Sequence, residues 1–218
     1  MPEGVSNERV LMIRAFGGEI RLTAKAGGIR GAIAETERLA GECGGFLPRQ
    51  FSNPENAQAH QVSTAPEILD AIPGGAVDAV VAGVGTGGTL VGLYRGLREA
   101  GCPVTPVLAR PVEIEVHADV ECCGFSCAIP GVVDSVSTIL QPAEMPDLMT
   151  VEVDEREAMD TARRLLAHGF PVGPSSGLNY CAALAAAERL GKPGARIVTV
   201  FPDRMERYFT TPLFLPFR

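Results

Sequence analysis

Two hydrophobic periods alternate along this chain. Residues 77–84 are a short, almost continuous apolar run, the pattern of a strand buried on both faces of a parallel sheet. Leu90, Leu93, Tyr94 and Leu97 then recur at helical spacing, which predicts a helix over 88–100. Between strand and helix stand Gly85, Thr86, Gly87, Gly88 and Thr89. Such a turn makes an anion site, because unpaired backbone N–H groups converge at the helix start and the helix dipole adds about half a positive charge. The glycines let the backbone approach a phosphate, and Thr86 and Thr89 can add hydroxyl donors.

The same alternation runs through the rest of the chain. Helices are predicted over about 7–16, with Ser6 as cap, and over 29–42, where Ile29, Ile33, Thr36 and Leu39 share a face. A third runs over about 55–69, interrupted near Pro66. Short strands are expected at 19–23, 104–108, 148–153 and 197–201. Asp154 and Glu157 form a capping box for a helix ending at Gly169, and an alanine-rich helix spans 178–190. Residues 111–141 show no sustained period. Strand and helix in alternation predict an α/β fold, a parallel sheet with helices on both faces and right-handed crossovers.

Composition narrows the function classes. The 218 residues are 46% hydrophobic and 21% charged, as in an ordinary globular protein. A net charge of −7 without a basic patch argues against nucleic-acid or anionic-membrane partners. No apolar run approaches the ~18 residues that span a bilayer, and residues 1–4 lack a secretory start, so the cytoplasm is the expected compartment. Six cysteines are too few for a disulfide framework and read as free thiols. His117, Cys122, Cys123 and Cys127 could be read as zinc ligands, but adjacent cysteines rarely share one ion, so no metal site is expected.

Two motifs leave alternatives open. Gly83, Gly85 and Gly88 satisfy a dinucleotide fingerprint, and Arg110, near the end of the next strand, would suit the 2′-phosphate of NADP. Gly173, Ser175 and Gly177 fit a hydrolase nucleophile elbow. In that fold the histidine follows the serine, whereas His60, His117 and His168 all precede Ser175, which argues against a hydrolase.

The wording of four ordered stretches resembles the cysteine synthase (O-acetylserine sulfhydrylase) family, the fold-type II, tryptophan synthase β-like enzymes that use pyridoxal phosphate. These are Val-Ala-Gly-Val-Gly-Thr-Gly-Gly-Thr at 81–89, Gln-Phe-Ser-Asn-Pro-Glu-Asn at 50–56 with His60, Val-Gly-Pro-Ser-Ser-Gly at 172–177, and residues 201–214. Ile129, Pro130 and Asp134 match a further family segment, while residues 121–127 replace its usual glycine-rich loop. The resemblance implies that Gly85, Thr86, Gly87, Gly88 and Thr89 hold the cofactor phosphate, that Ser175 faces the pyridine nitrogen, and that Gln50 contacts the substrate carboxylate. It further implies β-elimination and β-replacement on an activated serine, in cysteine biosynthesis, by a homodimer.

That chemistry needs a lysine as Schiff-base former and then as base. Lys25 and Lys192 are the two lysines, and neither matches the family's motif, so no catalytic residue is assigned. Residues 1–9 resemble an internal family segment, so the chain is expected to correspond to the carboxyl-terminal two-thirds of such an enzyme. Residues 1–45 would then be part of a small domain and 46–218 the large phosphate-binding domain. A chain of this kind is expected to be inactive alone, or to be a non-catalytic remnant that binds cofactor or a partner.

Overall fold

A computed structural model describes residues 1–112 and 136–217. The stretches at 117–127 and 129–134 lie outside the described residues. The helices are α1 (Asn7–Ala15), α2 (Gly28–Cys43), α3 (Glu55–Ala59), α4 (Ala65–Ala71), α5 (Gly88–Glu99), α6 (Glu155–Ala167) and α7 (Pro174–Leu190). Four strands, β1 (Ala79–Gly83), β2 (Thr105–Val112), β3 (Met149–Asp154) and β4 (Ile197–Thr199), form one sheet in the order β3-β2-β1-β4. Every pairing is parallel: Ala79 lies opposite Thr105 and Ile197, and Val107 opposite Met149.

The central strand explains its own composition. Val80 and Ala82 pack into a cluster with Leu90, Leu93 and Leu97 of α5, while Ala79 and Val81 face Leu178 and Ala182 of α7. Both sides of β1 are thus covered, and an alternating strand would have placed polar groups in one core. The three α5 leucines are fully buried, each removing apolar area worth about 1.5–3 kcal/mol from water. Glycine sets how closely α5 can approach its neighbours. A Cβ on Gly92 would overlap the Ala57 carbonyl oxygen, and one on Gly96 would sit 2.6 Å from the Ala65 Cβ.

Several elements depart from the sequence pattern for identifiable reasons. Residues 19–23 are not a strand; one isolated parallel bridge joins Pro2 and Thr23, since no longer neighbour runs alongside. The helix over 55–71 is interrupted as expected, but by a π-helical stretch, His60–Thr64, just before Pro66. The Ala65 N–H bonds the His60 carbonyl five residues back, and Pro66 has no N–H to continue the ordinary ladder. Helix α7 begins at Pro174, four residues earlier than expected, because a proline at the first helical position has φ already set and no N–H to leave unpaired. Ser6 does not cap α1; its hydroxyl bonds the Arg207 carbonyl at 3.1 Å instead. Asp154 does cap α6, accepting from the N–H groups of Arg156 and Glu157 at 3.0 Å each. No described helix is long and apolar enough to cross a membrane.

Candidate cofactor site

The loop at 85–89 joins the carboxyl end of β1 to α5 at the rim of the sheet, where open parallel sheets place their ligands. Gly87 caps α5 with φ +87°, a left-handed conformation that side chains resist. The cap residue has no side chain, and the Gly88 N–H makes only a long hydrogen bond, 3.5 Å, to the Thr86 hydroxyl, so the first turn keeps donors that can turn to an external acceptor. Gly88 has no space for a Cβ, which would overlap the Asn56 amide oxygen.

Asn56 holds the loop in shape. Its Nδ2 donates to the Thr86 hydroxyl at 2.9 Å and to the Gln50 carbonyl at 2.8 Å, tying the residue 50 turn to the loop. The Ser137 hydroxyl contacts the Thr86 carbonyl and lies 3.2 Å from the Phe51 carbonyl. The Gln50 side chain is exposed beside this junction. Thr89 Oγ1 lies 3.2 Å from His60 Nε2, and His60 Nδ1 lies 3.0 Å from Thr64 Oγ1. Burial pushes the His60 pKa down, which favours the neutral ring.

Ser175 reaches the same rim from the opposite layer. It lies in the first turn of α7 and is 9% exposed. Asn179, one helical turn further on the same face and about 6 Å along the axis, accepts from the Gly83 N–H at 2.7 Å and donates to the Val200 carbonyl at 2.8 Å. This buried amide stitches α7 to the end of β1, and with it Ser175 to the start of the glycine loop. The neighbouring Ser176 hydroxyl is buried without a partner among the described residues. Sequence reasoning missed Asn179 and Ser137; a single asparagine inside the alanine-rich helix was the available signal.

The lysines lie elsewhere. Lys192 pairs with Asp78 at 2.5 Å, just before the amino end of β1. The five residues of β1 separate that end from the loop, roughly 17 Å at ~3.3 Å per residue. Lys25 lies in an exposed 3-10 turn, Lys25–Gly27. Arg110, the residue that would favour NADP, extends toward Glu152 of the adjacent β3 at 3.9 Å.

A glycine turn at a helix start, with two threonines beside it and a serine across the rim, suits a phosphorylated ligand. The family comparison agrees: residues 1–203 match the model of the pyridoxal-phosphate dependent enzymes. The chain belongs to that family. Its relatives include a cysteine synthase of Staphylococcus aureus, 36% identical over 98% of this chain and 68% of its own length. Among solved structures, O-ureido-L-serine synthase is similar with a TM-score of 0.84 at 36% identity, over 98% of this chain and 67% of that one. The O-acetylserine dependent cystathionine β-synthase of Helicobacter pylori is similar with a TM-score of 0.82 at 31% identity, over 99% and 69%. The chain thus spans about two thirds of the length of these relatives. The family is pyridoxal-phosphate dependent, so the NADP reading of the fingerprint is set aside, and the architecture is that of the fold-type II enzymes, in part.

Proposed function

We propose that this chain carries the cofactor-holding part of a cysteine synthase-like enzyme acting on an activated L-serine by β-elimination and β-replacement. The observation that carries the reading is the α5 start behind the 85–89 loop, held internally only by a long Gly88–Thr86 bond, with Ser175 fastened to the same rim through Asn179. Backbone N–H groups of Gly88 and Thr89, with the hydroxyls of Thr86 and Thr89, bind the phosphate, and Gly85 and Gly87 let the chain bend around it. Ser175 offers a neutral hydroxyl to the pyridine nitrogen, and Gln50 orients the substrate carboxylate beside the loop. Pyridoxal phosphate, when bound, supplies an electron sink for charge developing at the substrate α-carbon. A hydroxyl does not force protonation of the ring nitrogen as a carboxylate would, which suits reactions whose electrons leave with the β-substituent.

Residues 1–45 belong, in this reading, to a smaller domain, and 46–218 to the large one, in a cytoplasmic homodimer. Neither Lys192, paired with Asp78 at the opposite end of β1 from the loop, nor exposed Lys25 is near enough to the loop to hold the cofactor covalently or to take the α-proton. Well-oriented placement of such a group is worth roughly 7–11 kcal/mol of barrier. The 218-residue chain by itself therefore binds the cofactor reversibly and does not turn over O-acetylserine.

The test is titration with pyridoxal phosphate and with NADPH, followed by borohydride trapping, peptide mapping and a sulfide-dependent cysteine assay. Saturable pyridoxal phosphate binding with no single labelled lysine and no cysteine formed is the expected result. Tighter NADPH binding that is lost in Arg110→Ala overturns the cofactor reading. Stoichiometric labelling of Lys25 or Lys192 with turnover overturns the inactivity.

A further inference from the structure

The turn that carries Ser175 is clamped from outside by residues that touch no proposed ligand. Gly173 is wedged there: a Cβ on it would overlap Asp203 Oδ1 and approach the Tyr208 ring to 2.5 Å. Its N–H donates to the Asp203 carbonyl at 3.2 Å, and an antiparallel bridge joins Val172 to Arg204. Tyr208, 1% exposed, donates its hydroxyl to Asp203 Oδ2. Asp203 Oδ1 is buried with no partner among the described residues. A carboxylate so placed keeps its charge only with compensating cations.

Two arginines answer that need. Arg207 lies 3.7 Å from Asp203 Oδ2. Arg9, on α1 and almost 200 residues away in sequence, stacks 5.3 Å above the Tyr208 ring and donates to its hydroxyl at 3.3 Å. Arg9 is itself held by the Ser6 hydroxyl at 3.0 Å, which bonds the Arg207 carbonyl. Glu8 adds the Thr210 N–H and hydroxyl at 2.6 and 2.8 Å. The amino-terminal segment thus grips the back of the element that faces Gly173.

We propose that Asp203 and Tyr208, locked by Arg9, are positioning residues that hold Gly173 and so set where Ser175 presents its hydroxyl. This rests on the assignment of Ser175 to the pyridine nitrogen made above. Burial pushes both the Asp203 and Tyr208 pKa values up, and the Arg207 and Arg9 charges oppose the shift at Asp203, as a compensated buried pair requires. Loss of the Arg9 charge or the Tyr208 hydroxyl loosens Gly173 while leaving the 85–89 loop, on the other layer, as it was.

The experiment uses the full chain and pyridoxine 5′-phosphate, which has no aldehyde and forms no Schiff base. Two readouts are taken: affinity for inorganic phosphate, and the pH at which the bound pyridine nitrogen titrates, followed by ultraviolet absorbance. Ser175→Ala defines the titration without the serine hydroxyl. Tyr208→Phe and Arg9→Gln are expected to move the titration most of the way to the Ser175→Ala value, with phosphate affinity held within about twofold, as for independent sites. Arg9 is partly exposed, so Arg9→Gln carries the test if Tyr208→Phe fails to fold. A wild-type titration in both variants overturns the proposal, as does a parallel loss of phosphate affinity, which marks a general structural role. If pyridoxine 5′-phosphate does not bind the wild type, or Ser175→Ala leaves its titration unchanged, the cofactor reading itself fails.

Discussion

Replacing Gly92 by alanine tests the packing that underlies the site. In an exposed helix the change stabilises by about 1 kcal/mol, because glycine loses more backbone entropy than alanine. At Gly92 the new methyl would overlap the Ala57 carbonyl oxygen and come within 2.7 Å of the His60 Cβ. Neither neighbour can step aside easily, since both belong to the helical run over 55–71. Overpacking of this kind costs about 1–3 kcal/mol, leaving a net loss of about 0–2 kcal/mol after the helix preference. Gly41 of α2 supplies the control: it is exposed with nothing near its Cβ position, so Gly41→Ala should stabilise by about 0.5–1 kcal/mol. A second consequence is local. Pushing α3 outward moves Asn56 away from Thr86, so the phosphate affinity of Gly92→Ala should fall while that of Gly41→Ala stays. Equilibrium urea denaturation and a phosphate titration read both effects. If Gly92→Ala is as stable as Gly41→Ala, the close helix contact is not a constraint and the account of α5 is wrong.

Asn56→Ala removes two hydrogen bonds that shape the loop; pyridoxal phosphate binding should weaken by about 1–3 kcal/mol, and unchanged affinity by titration would show the loop to be self-supporting. Asp154→Ala removes the α6 cap and should lower stability by about 1 kcal/mol, read by urea denaturation. The Lys192 ammonium, with the Arg196 N–H, holds the Asp78 carboxyl below the usual range. Its folded pKa is then below its unfolded one, so its stabilisation is present above about pH 4 and is lost as pH falls through the folded value. The stability gap between wild type and Asp78→Asn should be widest near neutral pH and should close below about pH 4; a gap independent of pH across that window rules the linkage out.

Local pattern was enough for the parallel α/β class, the central strand and the glycine turn. An apolar run, a glycine cluster and a 3.6-residue period are properties of neighbouring residues, and β1, the loop and α5 follow from them. The Asp154 cap of α6 was legible for the same reason. Element ends were less so: Pro174 starts α7 where the motif at 173–177 alone suggested a turn, and the pattern at 19–23 met no partner strand among the described residues.

What joins distant segments was decided only by the tertiary structure. Gly83 and Asn179 are 96 residues apart, Asn56 and Thr86 are 30 apart, and Arg9 and Tyr208 are 199 apart. The sequence names the donors and acceptors but carries no sign of their pairing, because a hydrogen bond depends on a separation of about 3 Å that chain order does not encode. The glycine loop at 85–89 could be read in the sequence because its geometry is local. The placement of Ser175 opposite it, and of Lys192 at the far end of β1, could not, because both depend on how two layers of helix close over one sheet.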